Sequence, residues 1–165
     1  MEAMSVKEFT EKMLRHRIAT EETLVGCTDE EIELLCKAQG VDKLPSIYIE
    51  WLKVMGKQAG WLMRGSDILY PIDYKEDFRE TYYDEELDVS SSYEFPENSF
   101  VFWSHQGYQF RFFLVDATDS SAVYFWAEGM EKPEKDYDSF GQVLTAWTRY
   151  QKFHIYVPDW TPPNK

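Results

Sequence analysis

Three histidines, two cysteines and thirty carboxylates supply most of the chemistry this chain could offer. His16, His105 and His154 lie far apart and show no local zinc-ligand spacing. Cys27 and Cys36 form no Cys-x-x-Cys pair, and two cysteines do not make a disulfide framework. Cys36 falls on the apolar face of an expected helix and reads as a small buried hydrophobe. No Gly-x-Gly-x-x-Gly run, Walker A sequence or nucleophile elbow is present. A glycosidase-type carboxylate pair is the one catalytic arrangement the residue types leave open, and an acidic chain offers such pairs by chance. The residues therefore point to no enzyme, no cofactor and no metal.

His105 stands beside Trp103 and ahead of Tyr108. It could serve as a contact residue or as an acid–base group. A lone histidine without a partner carries no mechanism, so it reads first as an exposed turn residue. The aromatic run through Tyr108, Phe110, Phe112, Phe113, Tyr124, Phe125 and Trp126 could suggest base stacking. Single-strand binders combine such platforms with a basic groove, and here the neighbours are mostly neutral or acidic. These rings read as sheet core.

Charge is the most pronounced feature of the chain. The formal net charge is -13, which argues against direct contact with nucleic acid or anionic membrane. An acidic surface suits a basic protein partner. From Asp73 to Glu97 ten acidic residues face only Lys75 and Arg79, so this stretch carries -8 of the total. It reads either as solvated surface or as an interface. No apolar run reaches the roughly 18–20 residues that span a bilayer, and no signal-peptide core follows Met1. The expected location is the cytoplasm.

The elements that would position these residues follow from local patterns. At 165 residues, 44% of them apolar, the chain has material for one domain with one core. Ser5 begins a helix with capping-box spacing to Glu8, and Val6, Phe9, Met13 and Leu14 form its apolar stripe. Residues 16–27 read as a linker or as an extended piece that packs late. Thr28 to Glu31 is a second capping box, with Ile32, Leu35 and Cys36 on the buried face and Gly40 at the end. After Leu44-Pro45, Ser46 is the expected cap of a third helix, with Tyr48, Trp51, Leu52 and Met55 on one face. Trp61–Arg64 and Ile68–Ile72 read as short strands. Asp73–Asp88 reads as a helix or irregular helical insert.

Strands are expected at Ser99–Ser104, Tyr108–Val115 and Ala122–Trp126, joined by short polar turns as in hairpins. Ser139 starts a last helix carrying Phe140, Val143, Leu144 and Trp147. The order predicts a single-domain α+β fold, an antiparallel β-sheet meander with flanking helices.

Several local motifs in this order resemble the SMI1/KNR4 superfamily, also called SUKH. They are Thr28-Asp29-Glu30-Glu31-Ile32, Leu44-Pro45 followed by Tyr48 and Trp51-Leu52, and Leu69-Tyr70-Pro71-Ile72. The hairpin residues Phe102, Gly107, Tyr108, Phe112, Phe113 and Asp116, the Val123–Trp126 strand, and Ser139-Phe140 with Leu144 complete the set. Met55-Gly56-Lys57 stands where many members carry Asn-Gly-Gly. The resemblance divides the chain into an N-terminal helix and linker over 1–27, a SUKH-like domain over 28–157 and an extended tail over 158–165.

It implies a non-catalytic protein-binding module. Many members are bacterial immunity proteins that neutralise a polymorphic toxin, often a nuclease, while fungal relatives are regulators without a toxin. With the acidic stretch, this points to a basic partner, a cognate toxin domain, met by Asp84, Glu85, Glu86 and Asp88 and flanked by His105 and Tyr108.

Overall fold

A computed structural model describes residues 1–84 and 93–151. The helices are α1 (Val6–Arg15), α2 (Asp29–Ala38), α3 (Ser46–Met55), α4 (Tyr74–Tyr82) and α5 (Phe140–Tyr150). A two-residue antiparallel ladder pairs β1 (Leu24–Val25) with β2 (Gln58–Ala59). The main sheet is an antiparallel meander of β3 (Ser99–His105), β4 (Gln109–Leu114), β5 (Val123–Ala127) and β6 (Glu134–Tyr137), in that spatial order. The expected α+β architecture is what the chain forms.

The helix starts follow their capping residues. The Glu8 amide donates to Ser5 Oγ at 3.1 Å. At Thr28 both arms of the box close, with Glu31 N–H to Thr28 Oγ1 at 3.2 Å and Thr28 N–H to Glu31 Oε1 at 2.9 Å. Ser46 does not cap α3. It is the first helical residue, and its own amide donates to Asp119 Oδ1 at 2.9 Å from the β4–β5 connection. A carboxylate at this helix start suits the dipole, and the bonds from Ser46 hold the Asp119 carboxyl below its ordinary range.

Both faces of the meander are covered. Period-2 alternation sends Phe110 and Phe112 to one side and Phe113 to the other. On the first side they meet Phe78 of α4, Phe95, Val101 and Trp126. On the second, Phe113 joins Phe100, Phe102 and Trp103 against α1, α2, α3 and α5. Tyr48 sits at the centre of this larger cluster, within 5.1–5.8 Å of the Phe100, Phe102, Phe113 and Phe140 rings. A register shift between Val101 and Trp103 lets consecutive residues Phe102 and Trp103 enter the same core.

Two expected strands do not form. Residues 61–65 are turn, and from the 67–72 segment only Asp67 bridges to the sheet, at Ser104. Left-handed backbone at Gly60, Met63, Gly65 and Tyr70 interrupts the extended run that the apolar residues suggested. Gln151 instead ties this segment to the end of α5, donating to Trp61 O and accepting from Met63 N–H. Residues 16–27, expected as a linker or an extended packed piece, hold a short 3-10 turn and β1. β6 carried too little β-propensity to be anticipated, its sequence being Glu-Lys-Asp-Tyr. The tail expected beyond Pro158 lies outside the described residues.

β3 is an edge strand buried under helices, so its outward backbone groups need partners. Ser99 N–H donates to Pro96 O at 3.0 Å, and Ser104 exchanges two bonds with Asp67. Between them, the Gln39 amide takes the place of a neighbouring strand. Its Oε1 accepts from Val101 N–H at 2.6 Å, and its Nε2 donates to Val101 O at 2.9 Å and to Pro71 O at 2.6 Å. Gln39 is only 1% exposed. A Gln39→Leu variant leaves these groups dry and unpaired. It should lose about 3 kcal/mol or more in urea unfolding, since each orphaned group costs roughly 1–3 kcal/mol. A loss under about 1 kcal/mol would show that water reaches this edge.

Candidate functional site

The β3–β4 turn is a tight hairpin. Gln106 and Gly107 both take positive φ, 54° and 78°, and Tyr108 N–H returns to His105 O at 3.3 Å. Tyr108 is exposed, with its hydroxyl donating to Gln106 Oε1 at 2.6 Å. It belongs to the turn, not to the apolar face that Phe110 and Phe112 continue. His105 is not a free turn residue. It ends β3 half-buried, stacked on Trp103 at 5.9 Å, with Nδ1 and Ser66 Oγ 3.1 Å apart.

α4 reaches this turn with its C-terminal end. Thr81 Oγ1 donates to Gly107 O at 3.2 Å, three residues before exposed Asp84. The fold therefore brings Asp84 to the hairpin that carries His105 and Tyr108. Glu85, Glu86 and Asp88 lie outside the described residues. The β5–β6 turn joins the same end of the sheet, where Glu128 N–H donates to Tyr108 O at 2.9 Å. Trp126 Nε1 donates to Met130 O at 3.0 Å and pins that turn down.

Gln39 and Lys75, which no local pattern in the sequence marks, together hold α4 in place. Lys75 is 4% exposed, although it stands in the acidic stretch. Its ammonium donates to Gln39 O at 2.5 Å and to Glu97 O at 2.6 Å. It thus links α4 to the end of α2 and to the segment before β3. Burial, with help from nearby Arg79, pushes the Lys75 ammonium down to about 8, while the Glu97 charge acts the other way. No periodicity signals a buried lysine, because its partners are carbonyls distant in sequence.

A cleft of about 310 Å³ opens at this end between the sheet and α5, lined among others by His105, Arg111, Tyr137, Trp147 and Tyr150. Alternation puts Arg111 on the face opposite Phe110, and that face is the one α5 covers. Its Nε is ion-paired with Asp136. Its guanidinium lies 4.3 Å from the Trp103 ring and 5.0 Å from that of Phe125. The cation is thus already matched by a carboxylate and aromatic faces. A broader depression of about 790 Å³ runs along Lys57, Gln58, Arg64 and Tyr74. There Lys57 is paired with Glu31 at 2.9 Å, and Arg64 lies over Trp61.

No group of three or more His, Cys, Asp or Glu side chains placed to hold a metal occurs among the described residues. Cys27 and Cys36 are both free thiols, and burial pushes Cys27 up to about 11. Among the described residues no helix is long and apolar enough to cross a membrane.

Fold and surface together define an α+β domain of the helix-flanked meander class. The family model described as SMI1 / KNR4 family (SUKH-1) matches residues 26–146, and the chain belongs to this family. No curated protein matches the chain. The residues before the match pack into the same core, α1 contributing Phe9 and Met13.

The lysine that anchors α4 makes a pH prediction. Its proton is held less tightly in the folded state than at the ordinary value near 10.4 of an unfolded chain. The buried charge therefore costs stability below about pH 8, and the cost is relieved as pH rises from there towards 10. Relative to Lys75→Met, the wild-type protein should gain roughly 1–3 kcal/mol in unfolding free energy between pH 7.5 and 9.5. Parallel pH curves for the two proteins would show that Lys75 keeps its proton throughout.

Proposed function

We propose that this chain is a non-catalytic protein-binding module of the immunity type, which neutralises a bacterial toxin by covering a basic surface. The observation that supports this best is the Thr81–Gly107 bond, which sets the acidic end of α4 beside the His105–Tyr108 hairpin. Family membership supports a module of this kind. Charge supports the choice of partner: at -13 the chain repels phosphate and attracts proteins that grip phosphate, as nuclease domains do. On this reading Asp84, Glu85, Glu86 and Asp88 face the toxin, with His105 and Tyr108 flanking them.

Co-expression with the products of neighbouring genes is the direct test. Rescue from a toxic neighbour, with a complex that co-purifies, is the expected outcome. Neutralising the four acids, as Asp84→Asn, Glu85→Gln, Glu86→Gln and Asp88→Asn together, should slow association about tenfold or more at low salt and flatten its salt dependence. An unchanged rate would move the interface elsewhere. No toxic neighbour and no complex would leave a regulatory module without a toxin as the better account.

A further inference from the structure

The aromatic side chains left exposed are unevenly distributed. Among the described residues the exposed aromatics are Tyr83 (58%), Tyr93 (45%), Tyr108 (37%) and Tyr150 (75%). All four are tyrosines, and all four map to one end of the sheet. Tyr108 is in the β3–β4 turn. Tyr83 follows α4, whose Thr81 is bonded to that turn, and its ring lies 6.0 Å from Phe95. Tyr93 O accepts from Tyr82 Oη at the same helix end. Tyr150 closes α5 and lines the cleft that His105 shares. The four rings thus border one end of the sheet from both sides, Tyr83 and Tyr93 on the α4 side, Tyr150 on the α5 side and Tyr108 at the hairpin tip between them.

Core demand does not explain these rings, because the cores are already filled by buried Phe and Trp. Tyrosine is the side chain interfaces favour, offering a large rigid face at low entropic cost. Exposed carboxylates stand among them: Glu80, Asp84, Glu94, Glu128 and Glu131. The exposed cations at this end are Lys132 and Arg149, with Arg64 on the adjoining loop. A surface of electron-rich faces interspersed with carboxylates suits a planar cation better than a compact ammonium. The protein uses this pairing internally, with Arg111 over Trp103 and Arg79 over Phe95 at 4.9 Å.

We propose that this tyrosine-bearing end of the sheet is a docking face for an arginine-rich protein surface, with guanidinium groups stacking on Tyr83, Tyr108 and Tyr150 while the neighbouring carboxylates take up their charge. The inference rests on the protein-binding reading above and narrows the partner from basic to arginine-rich. It also moves the energetic centre from the acids to the rings.

Nona-arginine and nona-lysine peptides are probes that need no known toxin. Titrated into the full-length chain at 150 mM salt and followed by fluorescence anisotropy, the arginine peptide should bind about threefold or more tighter, the order expected of exposed guanidinium–ring contacts. The triple variant Tyr83→Ser, Tyr108→Ser, Tyr150→Ser should bind both peptides alike, at the lysine-peptide affinity of the wild type. The triple Tyr→Phe variant should keep the preference. Equal wild-type affinities overturn the inference, as does a preference that survives the serine variant; the wild-type comparison stands even if that variant folds poorly. If a toxin complex is found and the serine substitutions do not weaken it, this inference falls while the immunity reading stands. If no toxin exists but arginine selectivity depends on the tyrosines, the reverse holds.

Discussion

An edge strand buried beneath helices is the constraint on which this structure depends. β3 has β4 on one side only, and its other side lies under α2, α4 and the 67–72 segment rather than in water. Outward-pointing amides and carbonyls cannot be left dry there. The solution is a division of labour along the strand: Pro96 serves Ser99, Gln39 serves Val101 and Asp67 serves Ser104. Gln39 is the one side chain among them, its primary amide reproducing both the donor and the acceptor that Asp67 supplies from its backbone. The opposite edge, β6, is managed differently. It is short, exposed and charged, which discourages pairing with another chain.

Satisfying that edge also fixes the end of the molecule where α4 meets the β3–β4 hairpin. The carbonyl of Gln39 receives the Lys75 ammonium, and the same ammonium reaches Glu97. α4 is therefore aligned along the sheet rather than splayed from it, and Phe78 drops into the cluster formed by Phe95, Phe110, Phe112 and Trp126. Only in that alignment does Thr81 meet Gly107. A buried charge is an expensive way to fix a helix, since desolvation disfavours the ammonium. It does specify one orientation, because a lysine can satisfy two carbonyls at once only where both lie within reach.

Several of the molecule's cations are matched where they stand. Arg111 is enclosed by aromatic rings and matched by Asp136. Lys57 is matched by Glu31 and Arg79 by Glu97. Glu80, Asp84, Glu94, Glu128 and Glu131 are exposed at the tyrosine-bearing end, beside Lys132 and Arg149. On the proposed reading, the excess of carboxylates there would steer a basic partner in, and the rings would give it faces to rest on.

What the sequence determined by itself was whatever depends on near neighbours. Thr28 and Glu31 announce their helix because a capping box closes over three residues, and Tyr48, Trp51, Leu52 and Met55 announce theirs because a helical face repeats over seven. Alternation through Phe110 and Phe112 marked β4, and the short polar spacer before Gly107 marked the hairpin. The acidic stretch could be counted directly. Only the tertiary structure decided which groups far apart in the chain meet. Apolar content made 61–64 and 68–72 look extended, and left-handed residues that bring Asp67 to Ser104 override it. Gln39 and Lys75 look like ordinary surface side chains, because their partners are backbone atoms 22 to 62 residues away. Packing alone brought four tyrosines from four places in the chain to one end of the sheet. Local rules read propensity and period; they carry no information on which distant backbone must be satisfied, and that requirement assembled the site.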